Sequence, residues 1–185
     1  MSLPQRIHPD ENGVRIQRLA MKQSIVTIEN RSFGPIDSML NFESNGEISD
    51  LTLNDELGRA QLRVVPAEQG QFNLEFSARG WELPFAYPAK FEYLSMRGQA
   101  NLTGLEISDV RGEVYGGMVS GKGRLDWQDR WILTGEYSIK SAQAEPFIKL
   151  FSSTTYSTGR LSSNGSFRFE ADHYKDLFAL PQIQG

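Results

Sequence analysis

The residues able to do chemistry are few and scattered. The chain has no cysteine, which removes thiolate metal sites, thiol catalysis and any disulfide framework. Its two histidines, His8 and His173, stand near opposite ends. His8 lies in Arg6-Ile7-His8-Pro9-Asp10-Glu11, a run that reads as a surface loop. His173 follows Asp172 at an expected helix start, where capping is the natural role. No Gly-x-Ser-x-Gly elbow occurs, and no carboxylate pair stands out with the split environments that general acid–base work requires. Asp50 and Asp109 each follow a serine, which is turn chemistry. Gly121-Lys122-Gly123 lacks the further glycine of a dinucleotide fingerprint. Asn101-Leu102-Thr103 and Asn164-Gly165-Ser166 match the glycosylation acceptor pattern, at a frequency that chance supplies. The expectation is a protein without catalytic residues, metal or cofactor.

The elements that would position any site come next. The chain has 185 residues, enough for one domain with a real core. Nineteen basic against 23 acidic residues give a net charge of −4, and no basic stripe marks a nucleic-acid binder. No segment approaches the roughly 20 apolar residues of a membrane span. Met1-Ser2-Leu3-Pro4 carries no charged-then-apolar leader. It reads as a vector-derived start on a piece of a longer protein.

Period-2 alternation dominates. Phe72, Leu74, Phe76 and Ala78 oppose Asn73, Glu75, Ser77 and Arg79. Trp131, Leu133, Tyr137 and Ile139 oppose Ile132, Thr134, Glu136, Ser138 and Lys140, and Phe167, Phe169 and Ala171 oppose Ser166, Arg168 and Glu170. Each pattern is a strand with one dry face and one wet face. Weaker runs occupy 14–19, 24–30, 36–43, 48–54, 59–65, 91–102 and 105–127. Turn signals fall at Asn12-Gly13, Asn45-Gly46, Gln69-Gly70 and Asn164-Gly165. Ten or more antiparallel strands in meander order follow. Two short helices are expected. One spans 144–151, with Phe147, Leu150 and Phe151 on one side. The other spans 174–179, capped by Asp172 and ending before Pro181.

Gly112, Gly116, Gly117, Gly121 and Gly123 crowd one strand segment, as a bent sheet requires. An internal repeat is expected over 46–102 and 105–172. Ile48-Ser49-Asp50-Leu51 resembles Ile107-Ser108-Asp109-Val110, and Phe72-Asn73-Leu74 falls at the same offset from Trp131-Ile132-Leu133. Pro84-Phe85 and Pro146-Phe147 follow in turn.

Many one-sided strands with few helices leave apolar surface to cover. Two sheets could close on each other as a sandwich, or a curved sheet could stay open as a groove or half-barrel for acyl chains. The expected groove lining is Phe72, Leu74, Phe76, Trp131, Leu133, Tyr137, Phe167 and Phe169, with Gly116, Gly117, Gly121 and Gly123 as structural glycines.

Residues 112–127, Gly-Glu-Val-Tyr-Gly-Gly-Met-Val-Ser-Gly-Lys-Gly-Arg-Leu-Asp-Trp, resemble the Tyr-Gly-Gly…Gly…Leu-x-Trp strand pair near the C-terminal end of AsmA-family proteins. The continuation is similar too: Trp131-Ile132-Leu133-Thr134-Gly135, a short helix near Pro146-Phe147, then Gly159-Arg160-Leu161 and Gly165-Ser166-Phe167. Ala78 through Pro84 also looks familial. The resemblance spans about residues 40–183. It implies a periplasmic β-rich region of a protein anchored in the inner membrane of Gram-negative bacteria. It further implies a role in outer-membrane biogenesis and phospholipid passage, with phospholipid and envelope proteins as partners. The anchor would lie outside this chain, the glycines would be structural, and no catalytic residue carries over. A closed sandwich scaffold without lipid is the alternative. An enzyme acting on glycans would need paired carboxylates in a cleft.

Overall fold

A computed structural model describes residues 15–28, 31–82, 89–149, 158–177 and 182–184. Strands make up about 73% of the described residues. They are β1 (Arg18–Ile28), β2 (Arg31–Phe42), β3 (Ile48–Asp55), β4 (Ala60–Pro66), β5 (Phe72–Glu82), β6 (Lys90–Ala100), β7 (Gly104–Val114), β8 (Gly117–Asp126), β9 (Trp131–Gln143), β10 (Arg160–Ala171) and β11 (Gln182–Gln184). Each pairs antiparallel with its neighbour in sequence, so one sheet runs from β1 to β11 as an unbroken meander. The sheet is open: β1 and β11 are its two edges. Among the described residues no second sheet lies over it, and the sandwich closure is not formed.

The alternation explains the strands, and local backbone exceptions explain their joints. Tyr115 and Gly116, with φ of 51° and 66°, make the two-residue turn between β7 and β8. Both central residues of a type I′ turn need positive φ, which suits the strand twist. This turn divides the run expected over 105–127. The separate runs expected at 14–19 and 24–30 are one strand, β1. Gln23 at φ 52° breaks its ladder where the register shifts. Asn164-Gly165 is not a turn: both residues pair inside β10, with Ser138 and Tyr137. Gly165 pairs there with Tyr137. A local turn signal is overridden by a cross-strand partner.

The short helix over Ala144–Lys149, α1, forms as expected, with Glu145 and Lys149 paired at 2.6 Å one turn apart. Leu150 and Phe151 lie outside the described residues, as do His8, Asn12-Gly13 and Pro84-Phe85. At the second expected helix only a 3-10 turn forms, over Tyr174–Asp176. Asp172 does not cap it. His173 occupies the cap position without a side-chain hydrogen bond, and Asp172 instead accepts from Arg130 at 2.9 Å. The arginine offers a charge-assisted bond that a turn N–H does not match.

Buried side chains gather at the two ends of the strands. Ala60, Ala78, Phe91, Leu94 and Val114 form one cluster, with Phe76, Trp81, Met96, Val110 and Val119 packed against it. At the opposite end Leu177 is buried, and Trp131 packs on Trp127 and Tyr174. Trp127 donates its indole N–H to the Leu102 carbonyl at 2.9 Å, tying the β6–β7 turn to the β8–β9 turn.

Candidate functional site: one apolar face across the sheet

The cross-strand register places all eight expected lining residues on one face. One row runs Val64, Leu74, Gly98, Ile107, Gly123, Gly135, Phe167 and Ile183, each directly opposite the next. The row beside it runs Leu62, Phe76, Met96, Val110, Gly121, Tyr137 and Gly165. On its other side Phe72, Ala100, Leu105, Leu125, Leu133 and Phe169 line up, and Trp131 faces Ala171 at the strand ends. The face continues through Leu51 and Leu53 of β3 and Leu40 of β2 to Leu19 and Met21 of β1. Directly opposed residues share a face, so the rows form one surface from edge to edge.

The two faces differ in exposure. Along β5 and β10 the apolar positions are half-buried while the polar ones between them are exposed. No layer covers the apolar side among the described residues. Neighbouring side chains therefore supply the partial burial, as they do when a sheet curls toward one face. Register shifts in the β1–β2, β2–β3, β6–β7, β7–β8 and β9–β10 ladders contribute, because each bulge bends its strand and sharpens the twist.

Glycine has a specific use here. A Cβ on Gly135 would come within 2.5 Å of both the Phe167 ring and the Lys122 carbonyl oxygen. Tyr137 sits between Gly121 and Gly165, and its hydroxyl meets Ser163 Oγ at 3.2 Å. Gly117 is held against the Ala142 backbone, where an added Cβ would approach to 2.4 Å. Gly121 and Gly123 likewise let the β9 backbone come close, since an added Cβ would lie 2.7 Å from the Glu136 carbonyl oxygen and 2.9 Å from that of Thr134, while Gly116 serves the turn. Gly98 and Gly135, outside the expected cluster, allow the same close approach, and so does Gly112 within it. Their signal was present as glycines at apolar-phase positions of alternating strands. Leu51, Leu53, Leu62, Val64 and Met96 belong to the face as well, and the same alternation marks them.

The outer face is a mixed-charge lattice. Arg97 lies 3.9 Å from Glu75, and Lys122 lies 3.2 Å from Glu136. Arg124 grips Asp126 at 2.7 Å; that hydrogen bond holds the Asp126 carboxyl below its ordinary range and raises the guanidinium. Glu170 takes Arg168 at 2.7 Å and is also bonded by Arg130. The Arg168 hydrogen bond, first, and the charge of Arg130 lower the Glu170 pKa. Exposed pairs of this kind contribute little individually. They keep the outer side wet and so define which face is dry.

Among the described residues no group of three or more histidine, aspartate or glutamate side chains is arranged to hold a metal, and no helix is long and apolar enough to cross a membrane. Polar groups interrupt the dry face in places. Besides Asp55 and Ser24, both opposite Ile36, and Ser163, opposite Ile139, the buried Ser38 has an Oγ with no hydrogen-bond partner. No family model matches the chain, and no curated protein or solved structure is significantly similar to it.

Proposed function

We propose that this chain is a non-enzymatic segment of the bacterial envelope whose apolar sheet face takes up phospholipid acyl chains as lipid passes between the inner and outer membranes. One observation carries the reading: a continuous apolar face, contributed by the whole meander, that nothing in the described fold covers. A contiguous apolar surface of this kind marks a binding site. Acyl chains suit it, because burial yields about 0.8 kcal/mol per methylene without a specific polar contact. The periplasmic setting and the role in outer-membrane biogenesis rest on the likeness of residues 112–127 to AsmA-family strands.

Native mass spectrometry of gently purified protein tests the reading, with co-purified phospholipid expected. Leu74→Asp and Leu133→Asp sharpen it. Both positions are half-buried, so the charge stays hydrated, the fold is retained and lipid capture falls. Folded variants with undiminished lipid overturn the groove. Unfolding of both, with no lipid on the wild type, supports a scaffold that packs this face against protein.

A further inference from the structure

The apolar face has one recessed corner. A cavity of about 470 Å³ opens between β2, β3, β4 and β5, walled by Ile36, Leu53, Leu62, Phe76 and Trp81. That volume falls within the roughly 300–1,000 Å³ of small-molecule sites. Its far wall depends on Gly80 at φ 56°, which breaks the alternation of β5 and returns Trp81 to the side of Phe76, ring centroids 5.3 Å apart. The rim is charged. Asp55 enters from the apolar face and is fixed there: Oδ1 accepts the Ala60 N–H at 2.7 Å, and Oδ2 takes Arg59 Nε at 3.4 Å. The Asp55 side chain is 22% exposed and that of Arg59 is 48% exposed, so both reach solvent at the mouth. Glu56, exposed, also lines the mouth.

The rim therefore presents one guanidinium and two carboxylates around an apolar recess. A head group carrying only negative charge meets an excess of its own sign there. A head group with both an ammonium and a phosphate meets complementary groups for each. We propose that this corner seats one acyl chain of a zwitterionic phospholipid, with its ammonium toward Asp55 and Glu56 and its phosphate toward Arg59. The assignment rests on the lipid-handling reading above and adds to it a place and a head-group preference.

The test uses two probes of equal chain length, lysophosphatidylethanolamine and lysophosphatidylglycerol, titrated below their micelle concentrations. Binding is read by native mass spectrometry and by tryptophan fluorescence. The wild type is expected to favour the ethanolamine lipid. Glu56→Lys, at an exposed turn position, should swing the ratio toward the glycerol lipid by about tenfold. Trp81→Phe should remove most of the lipid-induced fluorescence change, because Trp127 and Trp131 lie at the other end of the strands. Equal affinities in the wild type, unmoved by Glu56→Lys, overturn the head-group site while leaving the groove intact. A fluorescence change that persists in Trp81→Phe overturns the location. Binding of neither lipid overturns the lipid-handling reading itself.

Discussion

The strands β3–β6 and β7–β10 build the same apolar face by different means. In the first set, apart from Gly98, the face is a carpet of aliphatic and aromatic side chains: Leu51, Leu53, Leu62, Val64, Phe72, Leu74, Phe76 and Met96. In the second, glycines alternate with rings: Gly121 beside Tyr137, and Gly123 and Gly135 beneath Phe167. Both cover backbone with apolar surface. The first does so with adaptable side chains, the second with rigid plates whose seats must stay empty. Where the seats are filled, the second set has no way to yield.

The largest effect should follow from filling a seat. Gly117→Val and Gly121→Val place carbon within 2.4 Å and 2.7 Å of the neighbouring backbone. We expect a loss of about 3 kcal/mol by urea denaturation. Val64→Leu, which adds one methylene in the first set where Gly→Val adds three carbons, should cost under about 0.5 kcal/mol. Similar losses for all three would erase the distinction between the two sets.

The next effect compares two backbone kinks. β5 bends at Gly80, φ 56°, and β9 bends at Ser141, φ 57°. Each kink sits near the end of its strand, after a buried residue of the apolar face, Ala78 in one and Ile139 in the other. The first set spends a glycine on the bend. The second forces a serine into it, held by Ser162 Oγ on its N–H at 3.0 Å and by Arg160 on its carbonyl at 2.8 Å. Gly80→Ala should therefore destabilise by about 1 kcal/mol, and Ser141→Gly should stabilise by about 0.5–1 kcal/mol. Opposite signs in thermal melts are the expected result. A loss in both variants would mean that the Ser141 kink carries no strain.

The smallest effect is electrostatic and belongs to the second set. Glu170 has a pKa below its ordinary 4.5 in the fold. A depressed carboxylate contributes stability above its unfolded value and loses it as pH falls through the folded one. Wild type should therefore exceed Glu170→Gln in urea midpoint at neutral pH, and the gap should close progressively below about pH 4.5. A gap independent of pH would assign the difference to packing.

The strands were legible because alternation is a local property: Phe72 to Ala78 and Trp131 to Ile139 declare their faces without reference to any partner. The choice of face was legible for the same reason. That the strand faces join into one lining was expected, but which residues meet was not legible, because Phe167 opposite Gly135 and Met96 opposite Val110 are pairings between separate segments, which only the register decides. Asn164-Gly165 misled because a turn signal looks the same when the pair lies inside a strand, where cross-strand pairing with Ser138 and Tyr137 overrides it. Asp172 misled because its partner, Arg130, lies far away in sequence. The recessed corner had no sequence signature. It depends on one positive φ at Gly80 turning Trp81 over, a reversal that breaks the alternation used to read the strand.

The strictly sequential strand order has a mechanical consequence. Each strand leans chiefly on the one before it and the one after, so the molecule behaves as a ribbon more than as a ball. A strand lost from either edge takes little of the remainder with it, and fraying can advance hairpin by hairpin. Cooperativity in such a ribbon decays with distance along the chain, as in other arrays built from nearest-neighbour couplings. The same looseness lets the ribbon flex about its long axis, so the angle between its two edges is a soft coordinate, and on the proposed reading an acyl chain on the apolar face would help to set it.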